Sequence, residues 1–170
     1  AEKRKKLLTI NTQWVSIVDY LRKYIDLSSL KNFSMYVEPA ERGVGMIKDF
    51  LPHTNSVLIG LMPNGKAENI EFLSKGDEAI SVRFKYKSSE RECEVKYDFK
   101  LRTKRPGEII LVLNEESFRR EIGPGYKQTF MGNERSFEIE DPLKVSIRRF
   151  LGAVGELNTV LVNKKEILEN

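Results

Sequence analysis

The sequence predicts an α+β fold. Strand-like alternation dominates a long central stretch, residues 68–138, and amphipathic helical stripes lie before and after it. The length of 170 residues suits one domain with a core of its own.

In chain order, residues 7–11 read as a short apolar strand. Thr12 then caps a helix reaching Ile25, with Trp14, Ile17, Val18, Leu21 and Ile25 on one face. Residues 32–38 alternate, so that Phe33, Met35 and Val37 share one side of a strand. Residues 39–45 make a loop. The apolar run 46–62 is too long for one strand and reads as a buried helix passing into a strand near Val57. Pro63, Asn64 and Gly65 make a turn.

Two alternating runs follow. Val82, Phe84 and Tyr86 alternate with Arg83, Lys85 and Lys87; Cys93, Val95, Tyr97, Phe99 and Leu101 alternate with Glu94, Lys96, Asp98 and Lys100. A period of two gives one buried face and one charged face. A two-residue loop at Ser88 and Ser89 pairs Lys87 with Glu90, Lys85 with Glu92 and Arg83 with Glu94, and sets Phe84 opposite Cys93. Opposite charges across a strand pair contribute about 0.2–1 kcal/mol each, which favours this register over a longer loop that opposes Arg83 and Lys96.

Residues 109–113 are apolar without alternation, the pattern of a strand covered on both faces. Three short strands, 118–122, 126–131 and 135–139, are separated by glycine-containing turns. Asp141 and Pro142 then start a helix as cap and first residue. Its stripe is Leu143, Ile147, Phe150, Leu151 and Val154, and Gly155 is its expected C-cap. An extended piece at 160–162 leads into a last helix that stops at Asn170. That stop and the absence of an initiator Met are expected of a piece cut from a longer protein.

Composition narrows the chemistry. Hydrophobic residues make up 40% and charged residues 32%, ordinary for a soluble globular chain. One histidine and one cysteine, far apart, exclude a zinc site of the usual kind. A lone cysteine, Cys93, makes no internal disulfide, and the expected address is cytoplasmic. No apolar run approaches the roughly 20 residues that span a bilayer. Net charge is +4, with bases concentrated at residues 3–6 and 83–105. Nucleic-acid binding is disfavoured, because Phe84, Tyr86, Tyr97 and Phe99 point away from the charges and acids are interleaved with the bases. Gly43-Val44-Gly45 matches only the first part of a dinucleotide-binding loop and lacks its βαβ setting.

One constellation carries chemistry. Asp49 and His53 stand four apart in the helical run and share its face. A carboxylate beside an imidazole can set its tautomer and hold its charged form, which makes a general acid/base. The same spacing also suits a surface acid above a core histidine whose polar atoms are satisfied.

Around that pair the sequence resembles the C-terminal domain of the glucose–fructose oxidoreductase and inositol dehydrogenase superfamily. The resemblance rests on Asn11-Thr12-Gln13, on Gly45-x-x-x-Asp49-x-x-x-His53, on the strand run, and on Asp141-Pro142-Leu143-Lys144 through Phe150 and Val154, with Leu161, Val162 and Glu166. It implies an open, mostly antiparallel sheet with helices on one face and a subunit interface, dimeric or tetrameric, on the other. It implies a substrate-binding and oligomerisation domain, residues 1–170, whose N-terminal Rossmann half lies outside this chain. The implied activity is an NAD(P)-dependent dehydrogenase reaction moving hydride between nicotinamide and a sugar, polyol or related hydroxy compound. His53 and Asp49 would be catalytic, and Asn11, Gln13 and Lys48 would bind substrate. NAD or NADP would be held by the full-length protein and not by this piece, which is expected to be inactive alone. Neither nucleic acid nor membrane is an expected partner. The competing reading is a non-catalytic module that pairs through its sheet.

Overall fold

The computed structural model describes residues 13–156. The expected strand at 7–11, the Thr12 cap, the extended piece at 160–162 and the final helix lie outside the described residues.

A 3-10 turn, Gln13–Ile17, runs into α1, Val18–Tyr24. Trp14, Ile17, Val18 and Leu21 are buried along it, as their spacing predicts. Strand β1, Asn32–Val37, buries Phe33, Met35 and Val37. Helix α2 spans Val44–Leu61. It opens after Gly43, whose φ of 55° suits a residue without Cβ and whose N–H donates to the Asp77 carbonyl at 2.7 Å.

The expected switch to strand near Val57 does not occur. Thr54, Val57, Leu58 and Leu61 repeat at helical spacing and are all buried, so the apolar face continues unbroken to the last turn. The hydroxyls this buries are satisfied within the helix: Thr54 Oγ1 donates to Leu51 O at 3.1 Å and Ser56 Oγ to His53 O at 2.7 Å. Pro52 falls inside α2 on an exposed face and leaves the Lys48 carbonyl without its intrahelical donor.

Seven further strands follow: β2 Lys66–Lys75, β3 Ala79–Lys87, β4 Glu92–Lys100, β5 Ile109–Leu113, β6 Glu116–Ile122, β7 Gln128–Met131 and β8 Ser136–Ile139. All eight form one open sheet in the order β2-β3-β4-β1-β5-β6-β7-β8. Only β1 and β4 run parallel; the other neighbours are antiparallel. Helices cover one face, and the core between the layers takes the alternate side chains of β3, β4, β1 and β5, from Val82 and Tyr97 to Leu111. At the other end Phe137 stacks on Tyr20, Tyr24 and Phe130, with ring centroids 6.1, 5.5 and 5.6 Å apart.

The β3–β4 hairpin adopts the longer loop. Lys87 faces Glu92, Lys85 faces Glu94, Arg83 faces Lys96 and Phe84 faces Val95. Serine does not favour the left-handed conformation that a two-residue hairpin turn requires. Instead Ser88 closes a four-residue loop: its N–H donates to Arg91 O at 2.8 Å and its Oγ accepts the Arg91 N–H at 3.1 Å. Electrostatics adapts to the turn. Lys85 reaches both Glu92 and Glu94, at 3.3 and 3.2 Å, and Lys96 turns to Asp98 at 2.6 Å. A slip of two residues leaves every side chain on its expected face.

Strand β5 is covered on one face by this chain alone. Ile109, Leu111 and Leu113 are buried, whereas Ile110 and Val112 stay half-exposed on the open face. Helix α3, Pro142–Glu156, begins as expected, with the Leu143 N–H donating to Asp141 Oδ1 at 2.9 Å. It runs past Gly155 rather than ending there, so that glycine lies within helical backbone. Leu143, Ile147, Phe150 and Leu151 remain substantially exposed. Among the described residues no helix is long and apolar enough to cross a membrane.

Candidate functional site

A cleft of about 640 Å³ opens where α2 passes the end of β1 and the β4–β5 connection. That volume suits a small organic ligand, since such sites run roughly 300–1,000 Å³. Four elements build it. Helix α2 contributes Asp49, Phe50 and His53. The end of β1 contributes Val37 and Glu38. The β4–β5 connection contributes Arg102, Arg105 and Glu108, and β6 contributes Arg120 and Ile122. Trp14 and Tyr126 close the sides, Tyr126 standing 80% exposed at the rim.

The expected pair therefore comes together in one cleft. His53 is half-buried beside the Phe50 ring, with centroids 5.9 Å apart, and Asp49 sits one turn away in solvent. No hydrogen bond joins them; Asp49 acts on the imidazole through its charge. Burial pulls the His53 pKa below its ordinary 6.5, and the Asp49 charge offsets part of that. Burial thus favours the neutral imidazole, the form that can accept a proton. Its Nδ1 is buried with no hydrogen-bond partner among the described residues. A core histidine would have that atom satisfied.

The substrate-binding expectations fare differently. Lys48 is exposed on α2 and does not line the cleft. Gln13 opens the 3-10 turn next to Trp14, which does line it. Asn11 lies outside the described residues.

Several cleft residues were not singled out from sequence. Glu38 is held at both oxygens: Tyr36 Oη donates to Oε1 at 2.9 Å and the Glu108 N–H to Oε2 at 3.0 Å. Burial and that carboxylate push the Tyr36 phenol well above its usual range. Glu108 pairs with Arg119 at 3.0 Å. Arg120 lies over the Trp14 ring, 5.2 Å from its centroid, and donates to the Gly107 carbonyl. Burial pulls its guanidinium down to about 10, still charged at neutral pH. One signal for Arg120 was present. It shares the inward face of β6 with Phe118 and Ile122, a cation at a position the alternation reserves for apolar residues.

Among the described residues no cluster of three or more His, Cys, Asp or Glu side chains could hold a metal ion. On the β3–β4 hairpin Phe84, Tyr86, Tyr97 and Phe99 are buried, so its charged face carries none of those rings for base stacking.

The sequence matches no family model and no curated protein. Solved structures do share its fold. A dehydrogenase (MviM) from Clostridium difficile aligns at a TM-score of 0.55 and 7% identity, covering 93% of this chain and 56% of that one. An oxidoreductase from Agrobacterium radiobacter, in complex with NAD+, L-tartaric acid and magnesium, aligns at 0.53 and 8%, covering 93% and 56%. KijD10, a 3-ketoreductase from Actinomadura kijaniata in complex with NADP, aligns at 0.51 and 12%, covering 91% and 54%. The chain thus spans little more than half the length of these structures. At such identities the likeness establishes the fold, an open mostly antiparallel sheet found in one part of these oxidoreductases, as the sequence resemblance implied.

Proposed function

We propose that this domain is the substrate side of an NAD(P)-dependent oxidoreductase acting on a sugar, polyol or related hydroxy compound, with His53 exchanging the substrate hydroxyl proton. The observation that carries this reading is the His53 imidazole: half-buried in a ligand-sized cleft, with Asp49 one turn away and Nδ1 unpartnered among the described residues. A neutral imidazole can take the proton as the alcohol is oxidised and return it in the reverse direction. The Asp49 charge favours the imidazolium that forms. The nicotinamide, held by a nucleotide-binding half outside this chain, supplies hydride acceptance and donation. Glu38, fixed at both oxygens, keeps the end of β1 tied to the β4–β5 connection and so holds the cleft wall.

The open sheet face supports pairing of copies. Ile110 and Val112 lie half-exposed on β5, near the middle of the eight strands, and two such faces would cover each other. The test of the catalytic reading is His53→Ala in the full-length protein. Loss of a positioned proton-transfer group lowers kcat by about 10²–10⁴-fold. An unchanged kcat, with assembly intact, would leave only the non-catalytic pairing module.

A further inference from the structure

The cleft holds three guanidiniums and, among the described residues, no carboxylate pairs with any of them. Arg120 spends one Nη on the Gly107 carbonyl and sits over the Trp14 ring. Among the described residues Arg102 and Arg105 make no ion pair, and the Arg102 backbone N–H donates to Pro39 O at 2.8 Å. Two of these groups meet at Gly107, and Arg105 lines the same cleft. The Arg102 side chain passes so close to Gly107 that a Cβ there would meet its Cδ at 3.0 Å, while the carbonyl of Gly107 takes Arg120.

Among the described residues no acid of the same cleft pairs directly with these guanidiniums. Both Glu38 oxygens accept hydrogen bonds from Tyr36 and from the Glu108 backbone. Glu108 is engaged by Arg119. Asp49 lies on α2, beside His53. A guanidinium held by burial and ring contact costs desolvation, and its planar fork fits a carboxylate or phosphate at two points.

We propose that the ligand of this cleft is an anionic hydroxy compound, whose carboxylate or phosphate is bound by Arg102, Arg105 and Arg120 while its hydroxyl faces His53. The placement of the hydroxyl rests on the proton-exchange reading of His53; the anion site does not. Arg105 is the exposed member that meets the ligand first, and Arg120 is the fixed one beneath it.

The test titrates the chain with glucose, glucuronate and glucose 6-phosphate. His53 and Trp14 are the only histidine and tryptophan, so imidazole proton resonances and indole fluorescence each report this cleft alone. The expected result is binding of at least one anion about tenfold or more tighter than glucose, as charge-assisted bidentate contacts imply. The tighter of the two identifies carboxylate or phosphate as the group recognised. Arg102→Gln and Arg105→Gln each reduce that preference several-fold. Arg105 is solvent-exposed, so its variant folds even where an Arg120 variant does not. Equal binding of glucose and both anions, no binding of either anion, or a preference that survives the Arg102→Gln, Arg105→Gln double variant overturns the proposal. The two readings fail separately. A His53→Ala full-length protein with full rate and retained anion preference removes proton exchange alone. A rate lost in that variant, with no anion preference in the parent, removes the anion site alone.

Discussion

Gly107→Ala should destabilise the protein by about 1–2 kcal/mol and loosen the cleft together. A Cβ on Gly107 would lie 2.6 Å from the Glu38 carbonyl oxygen. Ordinary carbon–oxygen contacts begin near 3.3 Å, so one backbone must retreat by about 0.7 Å. Neither is free to do so cheaply. Glu38 is tied by its N–H to Glu108 O at 3.0 Å and by its carboxylate to the Glu108 N–H. The second neighbour, Arg102 Cδ at 3.0 Å, belongs to a flexible side chain and can swing away. Overpacking of this kind costs about 1–3 kcal/mol. Restricting the unfolded chain returns about 0.4–1 kcal/mol, because Gly107 has no positive φ that alanine would resist. With a urea m-value of about 2 kcal/mol/M, the midpoint falls by about 0.5–1 M. Urea unfolding followed by Trp14 fluorescence measures it. A midpoint equal to or above that of the parent refutes the claim that this contact clamps the β4–β5 connection to the end of β1.

Two further outcomes follow from burial. The His53 resonance should titrate with a midpoint below 6.5, and Asp49→Asn should lower it further by removing the charge that opposes desolvation. Because the folded state binds this proton less readily than the unfolded state, the His53 contribution is complete above pH 6.5 and declines as pH falls through 6.5 toward the folded midpoint; a pH series of urea midpoints, flattened in His53→Gln, checks the sign. Cys93 is buried with its thiol pushed up to about 11, so it should resist alkylation at pH 8 in the native protein and react fully in urea. Rapid native labelling would place that face of β4 outside the core.

Side-chain period carried most of the architecture. Phe33, Met35 and Val37, or Val95, Tyr97 and Phe99, show their buried face by alternation, whatever their neighbours. Register did not follow from charge, because the cross-strand terms that favoured Arg83 opposite Glu94 are small, and lysines long enough to reach diagonally lose little in either alignment. Turn geometry decided it, through Ser88. The length of α2 was misread for a related reason. A run apolar on nearly all sides hides its period, and only the burial of Thr54, Val57, Leu58 and Leu61 on one side restores it.

The candidate site divides along the same line. Asp49 and His53 were legible because they lie on one helix, where spacing is position. The arginines were not: Arg102 and Arg105 lie in the β4–β5 connection and Arg120 on β6, and although the β5–β6 hairpin sets Arg120 beside Gly107, they reach the helix that carries His53 only once β1 has been inserted between β4 and β5. That insertion is the one parallel pairing in the sheet, and it brings Glu38 against the β4–β5 connection. Local sequence gives no sign of it: β1 is separated from β4 by α2 and by β2 and β3, the two strands that form a meander with β4. A cation at an inward strand position, as at Arg120, is therefore the kind of local irregularity that marks a site assembled by long-range topology. Its cost to the core makes sense only where the fold has another use for the charge.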